Sequence, residues 1–192
     1  MKIRHLSAPT IKTITGRSSA IRAAFIKAII PEIKPTEEEI DACLAHLPHT
    51  QSGKYCSYCG TIEATEWDHF RAVTEKQEPT GYITDIYNLV PACGKCNQSK
   101  GNKPWEFWIK TQAANAPGGR SDVKNLNEII ANLSSFQNWS DQLRFKMSDQ
   151  FLNGQEVKSY LKECEDLINT LSDYQKKATQ LKEKVVNEFE GK

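Results

Sequence analysis

The sequence has no run of 18 or more apolar residues, and its first ten residues lack the apolar stretch of a secretory signal. We therefore expect a cytoplasmic protein that neither spans nor binds a membrane. Net charge is also almost absent, because 25 Lys and Arg residues oppose 24 Asp and Glu residues to leave +1. A total this close to zero gives no argument for a nucleic-acid partner, and only an uneven distribution of charge would supply one.

The charge is uneven at the start of the chain, where residues 1–34 hold seven basic residues and one acidic residue. Apolar residues at helical spacing predict a helix over about 19–30, which Pro31 ends. A capping box formed by Thr36 and Glu39 predicts a second helix, which Pro48 ends. The basic arm is a candidate phosphate-binding element, although a solvated helix face explains it almost as well.

The last third of the chain returns to helical periodicity. Residues 116–119 read Ala-Pro-Gly-Gly and predict a turn or linker, with a domain boundary near 118. Helices are predicted over about 122–136 and 155–189, and the second carries an almost heptad apolar stripe. Such a stripe needs a partner, either the helix near 122–136 or another subunit. The chain is thus expected to contain a helical arm (1–50), a chemical centre (51–116) and a helical region (117–192).

The spacing of the six cysteines indicates a metal site. Cys56 and Cys59 form one C-x-x-C pair, and Cys93 and Cys96 form a second pair, with 33 residues between the two pairs. Two such pairs complete a tetrahedral site for structural zinc, with no open position for catalysis. Unrelated buried thiols or a redox pair remain the less favoured alternatives. The two single cysteines lie on helix stripes and are expected in the core: Cys43 and Cys164.

Between and beside the two pairs lie residues suited to metal-assisted chemistry. Asp68 is a hard oxygen ligand, His69 can act as a base near neutral pH, and Asn97 offers a neutral oxygen. Such a set can hold one divalent cation beside a base. Four lysines against one glutamate make residues 95–110 basic, which suits a phosphate-rich substrate. Nearby aromatic residues are expected to pack a small core more often than to stack on bases: Trp67, Trp105, Phe107 and Trp108.

In these features the sequence resembles the HNH endonucleases, whose fold is the ββα-metal finger. The resemblance covers about residues 54–108 and rests on the Asp-His pair at 68 and 69, on Asn88, and on the run Cys-x-x-Cys-Asn-x-x-Lys-Gly from 93 to 101. Asn97 takes the place of the last His or Asn of the family pattern. The family usually has a proline three residues after the catalytic histidine, whereas this sequence has Ala72 there. This difference affects the expected shape of the following loop and not the expected chemistry.

The resemblance implies a role for each matched residue. His69 would be the general base that takes a proton from the attacking water. Asp68 and Asn97 would bind one catalytic divalent cation, Mg or Mn, while Asn88 would orient the loop and the histidine backbone. With the match accepted, Lys100 and Lys103 become candidate phosphate contacts.

The resemblance also implies a fold. The first strand would lie within 61–70, the second within 70–85, and the metal-facing helix would begin at about 95–103. The fold class expected for the whole chain is α+β and mainly helical. It would consist of a small ββα-metal finger with a structural zinc, flanked by N-terminal helices and a long C-terminal helical region.

The function implied is that of a metal-dependent DNA endonuclease leaving 5′-phosphate and 3′-hydroxyl ends, in a prokaryotic restriction or anti-phage defence system. A homing, mobile-element or phage nicking endonuclease is the alternative within the same chemistry. A zinc-ribbon nucleic-acid-binding module without catalysis is the alternative from another class. RNA remains open as a substrate, because the sequence shows no decisive reader of the 2′-hydroxyl.

Overall fold

A computed structural model describes residues 12–191, which form two compact units. One unit is Ile26–Asn153, and the other combines the residues up to Phe25 with those from Gly154 onward. The helices are α1 (Ser18–Ala28), α2 (Glu37–Ala45), α3 (Gly94–Lys100), α4 (Trp105–Trp108), α5 (Leu126–Leu143), α6 (Asp149–Leu152) and α7 (Gln155–Glu190). The strands are β1 (Glu66–His69), β2 (Thr74–Glu75), β3 (Glu78–Pro79) and β4 (Leu89–Ala92). The α+β class is confirmed, and the three-part domain division stays a prediction.

The centre of the larger unit is a two-stranded antiparallel sheet followed by a helix. β1 pairs with β4 in a register that places Asp68 opposite Val90 and His69 opposite Leu89. α3 begins two residues after β4, which completes a ββα unit. The expectation of a second strand within 70–85 was wrong, because among residues 12–191 β2 and β3 pair only with each other and the partner of β1 begins at Leu89.

The ββα unit shares its hydrophobic core with the flanking helices. Ile129, Leu133 and Phe136 of α5 belong to the same buried cluster as Phe70 and all four paired cysteines. The Phe70 and Phe136 rings meet edge to face at 5.0 Å. α2 adds Cys43 to this core, and its predicted Thr36–Glu39 capping box is present. The small finger therefore does not stand alone, since burying apolar surface against α2 and α5 stabilises it.

Residues 116–119 form a tightly packed turn. Pro117–Gly119 is a short 3-10 helix, and Ala116 is fully buried. A Cβ at Gly119 would lie 2.6 Å from the carbonyl oxygen of Ala113, so only glycine allows this close approach of two backbone segments. Of the two alternatives, turn and linker, the turn is confirmed.

The smaller unit pairs the start of α7 with the N-terminal segment. The Phe25 and Tyr160 rings lie 5.3 Å apart, and the Tyr160 hydroxyl donates to the carbonyl of Phe25 at 3.1 Å. Arg22 forms an ion pair with Glu165. The stripe of α7 thus packs first on α1, which neither sequence-based alternative named. Both predicted C-terminal helices are present, as α5 and α7.

Residues 1–11 of the basic arm lie outside the described residues. Within 12–191, every helix is too short or too polar to cross a membrane. The two single cysteines are fully buried as expected, at Cys43 and Cys164.

Candidate active site and metal centre

The four paired cysteines converge on one point. Their sulfur atoms all lie within 4.8 Å of one another, and all four residues are buried: Cys56, Cys59, Cys93 and Cys96. The first pair is tied to β4 because the Ser57 amide donates to the carbonyl of Pro91 at 2.8 Å. The second pair opens α3 directly after β4. Four converging thiols form a donor set for a metal ion in tetrahedral coordination.

Hydrogen bonds among the four thiols shift their pKa values in opposite directions, and those of Cys56 and Cys96 are raised. Hydrogen bonding with Cys56 lowers the pKa of the Cys93 thiol to about 6 and also lowers the pKa of Cys59. The guanidinium of Arg120 lies 3.6 Å from the sulfur of Cys96 and partly offsets the negative charge of thiolates. Its own pKa is raised, first by its hydrogen bond to Asp122. The sequence offered no signal for this role of Arg120, which follows the Gly118–Gly119 turn.

Asp68 lies in a buried polar network beneath β1. Its Oδ2 accepts a hydrogen bond from the Tyr58 hydroxyl at 2.6 Å and lies 2.9 Å from Nζ of Lys100. Tyr58 is fully buried, and burial together with the nearby Asp68 carboxylate raises its pKa, so the hydroxyl keeps its proton and donates it. Tyr58 stands inside the first cysteine pair and therefore links the metal cluster to Asp68. Sequence reasoning missed this link.

His69 is the last residue of β1, and its side chain takes a different direction from that of Asp68. Its Nε2 lies 2.8 Å from Oγ1 of Thr84. The pKa of His69 is lowered, chiefly because the side chain is partly buried. The Asp68 carboxylate raises this pKa, and the ammonium groups of Lys100 and Lys27 lower it further. A lowered pKa favours the neutral imidazole, the form that can accept a proton.

Asn88 is buried and holds the backbone that follows His69 through hydrogen bonds. Its Oδ1 accepts from the amide of Arg71 at 2.9 Å, and its Nδ2 donates to the carbonyls of Arg71 and Ile83 at 3.1 Å each. The Phe70 amide donates to the carbonyl of Asn88 at 2.8 Å. These four bonds fix the chain directions on both sides of the His69–Arg71 corner.

α3 carries the remaining predicted residues. Asn97 is half-buried and lies one helical turn before Lys100, whose Nζ reaches under β1 to Asp68. Residues three apart share a helix face, so Asn97 lies on the face of α3 that turns toward β1.

The two lysines predicted to contact phosphate have different surroundings. Lys100 is buried, and its ammonium donates to the carbonyl of His69 at 2.8 Å while it pairs with Asp68. Lys103 is exposed, and its ammonium donates to the carbonyl of Ser99 at 2.8 Å, near the end of α3. A phosphate at the surface can thus reach Lys103, whereas Lys100 is placed to hold Asp68 and the backbone of His69.

The aromatic residues divide into two groups. Trp105 and Trp108 are buried in the core, as the packing interpretation expects. Trp67 is 44% exposed on β1, beside Asp68, and Phe107 is 78% exposed on α4. Packing therefore explains two of the four, and the other two present rings to solvent.

An antiparallel strand pair, a helix opening on a cysteine pair, and an Asp-His pair ending the first strand together define a ββα-metal finger. Residues 55–103 match the family model described as HNH endonuclease. This part of the chain is thus an HNH endonuclease domain.

Among characterised proteins, the chain is similar to the CRISPR-associated endonuclease Cas9 of Corynebacterium diphtheriae. The two are 40% identical over 58 residues, a stretch that makes up 29% of this chain and 5% of that protein. The chain therefore corresponds to only a small fraction of that relative. No solved structure gives a significant match.

Proposed function

We propose that the protein is a metal-dependent DNA endonuclease that hydrolyses phosphodiester bonds. The observation that carries the proposal is the position of Asp68 and His69 at the end of β1 inside the HNH match, where Lys100 of the Asn97-bearing helix contacts the Asp68 carboxylate and the His69 carbonyl. The surroundings favour a neutral imidazole, and hydrolysis needs such a base to make water nucleophilic.

In the proposed reaction His69 takes a proton from the attacking water, which adds to the phosphorus atom. The bond from phosphorus to the 3′ oxygen breaks, and this oxygen takes a proton from solvent water, so the products carry 5′-phosphate and 3′-hydroxyl ends. Asn88 keeps the His69–Arg71 corner rigid through its four backbone hydrogen bonds. A general base of this kind contributes about 10²- to 10⁴-fold to the rate.

Asp68 and Asn97 are the proposed ligands of the catalytic cation, Mg or Mn. Their oxygen atoms suit such hard ions, which typically use one or two carboxylates and leave the other positions to water and phosphate. Only one oxygen of Asp68, Oδ2, is held by Tyr58 and Lys100, so the donor set fits. When bound, the cation supplies positive charge for the phosphoryl and departing 3′ oxygens.

The four-cysteine cluster is proposed to hold zinc with a structural role. Four thiolates fill a tetrahedral site and leave no position for water or substrate. The ion would join the loop at Cys56 to the start of α3 at Cys96 and so hold the helix that presents Asn97.

Exposed cations around the site are proposed to bind the DNA backbone. Lys103 at the end of α3 is the first candidate, and Lys27 on α1 is a second because its charge acts on the pKa of His69. For Lys100 we propose a positioning role in place of direct phosphate contact, because its ammonium is committed to Asp68 and to the carbonyl of His69.

The biological setting proposed is a prokaryotic restriction or anti-phage defence system. A relative described as a CRISPR-associated endonuclease is consistent with defence. Assembly is proposed to involve the second half of α7, where Leu181, Val185 and Phe189 are 52% to 76% exposed. A second copy bound there would bring two nuclease centres together, which would allow both strands to be cut, and a partner protein is the other candidate. A monomer by light scattering, with and without DNA, would exclude the homodimer.

The test of the nuclease proposal is a plasmid-nicking assay with zinc-loaded protein, in which magnesium or manganese is supplied or left out. We expect nicks only with the added cation, and loss of cleavage with retained DNA binding in His69→Ala. His46→Ala, at a half-buried histidine that follows α2 and lies outside the HNH match, is the histidine control. Retarded but uncut DNA would instead identify a zinc-ribbon binding module, and equal cleavage by His69→Ala would overturn the assigned base.

A further inference from the structure

The side chain of Thr84 is the hydrogen-bonding partner of the proposed catalytic base. Its Oγ1 lies 2.8 Å from Nε2 of His69, fifteen residues earlier in the chain. Both side chains are half-buried, so this contact is partly shielded from competing water. A bond of this kind sets both the direction of the imidazole ring and the nitrogen that carries its proton.

Thr84 is itself held by backbone hydrogen bonds from outside the segment that matches the HNH family. The amide of Ile33 donates to the carbonyl of Thr84 at 2.8 Å, and the amide of Thr84 donates to the carbonyl of Pro31 at 3.0 Å. These bonds form a parallel bridge between Glu32 and Thr84. On the other side, Asn88 Nδ2 donates to the carbonyl of Ile83 at 3.1 Å. The threonine is therefore fixed from two directions before any substrate binds.

The direction of the Thr84–His69 bond decides whether the histidine can act as a base. If the hydroxyl donated to Nε2, the proton of the neutral ring would sit on Nδ1, and neither nitrogen would keep a free lone pair. If Nε2–H donates to the hydroxyl oxygen, Nδ1 keeps its lone pair and can take a proton from water. Only the second arrangement serves general-base hydrolysis.

We infer that Thr84 is a positioning residue that accepts the Nε2 proton of His69 and thereby presents Nδ1 to the attacking water. This inference rests on the proposed nuclease function. It also gives residues 31–33 a supporting role in the active site, because their backbone bridge to Thr84 helps to fix the position of the Thr84 hydroxyl relative to His69.

The test combines histidine NMR with cleavage kinetics on the full-length, zinc-loaded protein. Long-range proton–nitrogen spectra distinguish the two neutral tautomers, and the His69 signals are assigned as those missing in His69→Ala. Thr84→Val removes the hydroxyl at nearly the same volume, and Thr84→Ser restores it. Thr80→Val is the matched control, because the Thr80 hydroxyl donates to the carbonyl of Ala72 at 2.6 Å in the same loop.

We expect the Nε2–H tautomer in the wild-type protein and in Thr84→Ser, and a mixture of tautomers in Thr84→Val. In Thr84→Val we expect kcat to fall about three- to tenfold, as the loss of one hydrogen bond predicts, with KM little changed. Thr80→Val should keep the wild-type tautomer and kcat.

Two results would overturn the inference: an Nδ1–H tautomer in the wild-type protein, or a Thr84→Val protein with unchanged tautomer and kcat. The wild-type spectrum decides the first point even if Thr84→Val fails to fold. Failure of the nuclease proposal is seen separately, as absence of cleavage by the wild-type protein.

Discussion

The ammonium of Lys100 lies 2.9 Å from Oδ2 of Asp68, and both side chains are almost completely removed from solvent. Charges are costly to bury unless each is paired and hydrogen-bonded. Here Tyr58 donates to the same carboxylate oxygen, and Lys100 also donates to the carbonyl of His69. One ion pair therefore ties the proposed metal ligand, the backbone of the proposed base and the helix α3 together.

Removal of the Lys100 charge should destabilise the protein. We expect Lys100→Met to lower the free energy of unfolding by about 3–5 kcal/mol, because it leaves the Asp68 carboxylate buried without its cation. Lys95→Met, at an exposed position on the same helix, should change it by less than about 0.5 kcal/mol. Urea unfolding of the zinc-loaded proteins measures both values.

A double variant separates this structural role from phosphate binding. In Asp68→Asn combined with Lys100→Met neither charge is left unpaired, so part of the lost stability should return. Unchanged stability of Lys100→Met together with weaker DNA binding would instead support the direct phosphate contact implied by the family resemblance.

Some features of the site could be predicted from sequence because their signals are local. The cysteine pairs depend on a spacing of three, the start of α2 on a four-residue capping box, and the Asp68–His69 pair on adjacency. The burial of Lys100 had no such signal, since a lysine on a short helix looks exposed until β1 is placed above it. The contact of Thr84 with His69 depends on the loop between β1 and β4. The second strand was predicted too early in the chain because its pairing with β1 also depends on this loop.

The stability of the protein should decrease as the pH falls through the histidine range, in part because of His49. Its Nε2 lies 2.9 Å from the carbonyl of Ser57 and its Nδ1 lies 3.0 Å from Nδ2 of Asn132, an arrangement that fits the neutral ring. Burial lowers the pKa of His49 below 6.5. The unfolded chain then binds the proton more readily, so this contribution is present above pH 6.5 and is lost as the pH falls toward the folded pKa.

The pH effect can be isolated with His49→Gln. The difference in free energy of unfolding between wild type and variant should shrink from pH 8 to pH 5.5, because only the wild type loses stability through this histidine. Chemical denaturation at both pH values gives the difference. A difference that is constant with pH would show that His49 does not titrate in this way.

The close packing of the 116–119 turn predicts a penalty for Gly119→Ala. The new Cβ would lie 2.6 Å from the carbonyl oxygen of Ala113, and backbone atoms cannot move aside as a flexible side chain can. We expect the free energy of unfolding to fall by about 1–3 kcal/mol, as for other overpacked sites. Urea unfolding measures the loss, and an unchanged value would mean that this segment is a loose linker.

Metal removal should disrupt the packing of α5 as well as the cysteine loops, because Ile129, Leu133 and Phe136 share one core with the four thiols. Cys96→Ser, or a strong chelator, should abolish the zinc ion of the zinc-loaded protein in native mass spectrometry and lower the melting temperature followed by circular dichroism. Cys43→Ala removes a thiol that is equally buried, with a pKa raised to about 12 by burial, and should keep the ion. Loss of the ion in Cys43→Ala, or an unchanged melting temperature in Cys96→Ser, would contradict a structural metal at this cluster.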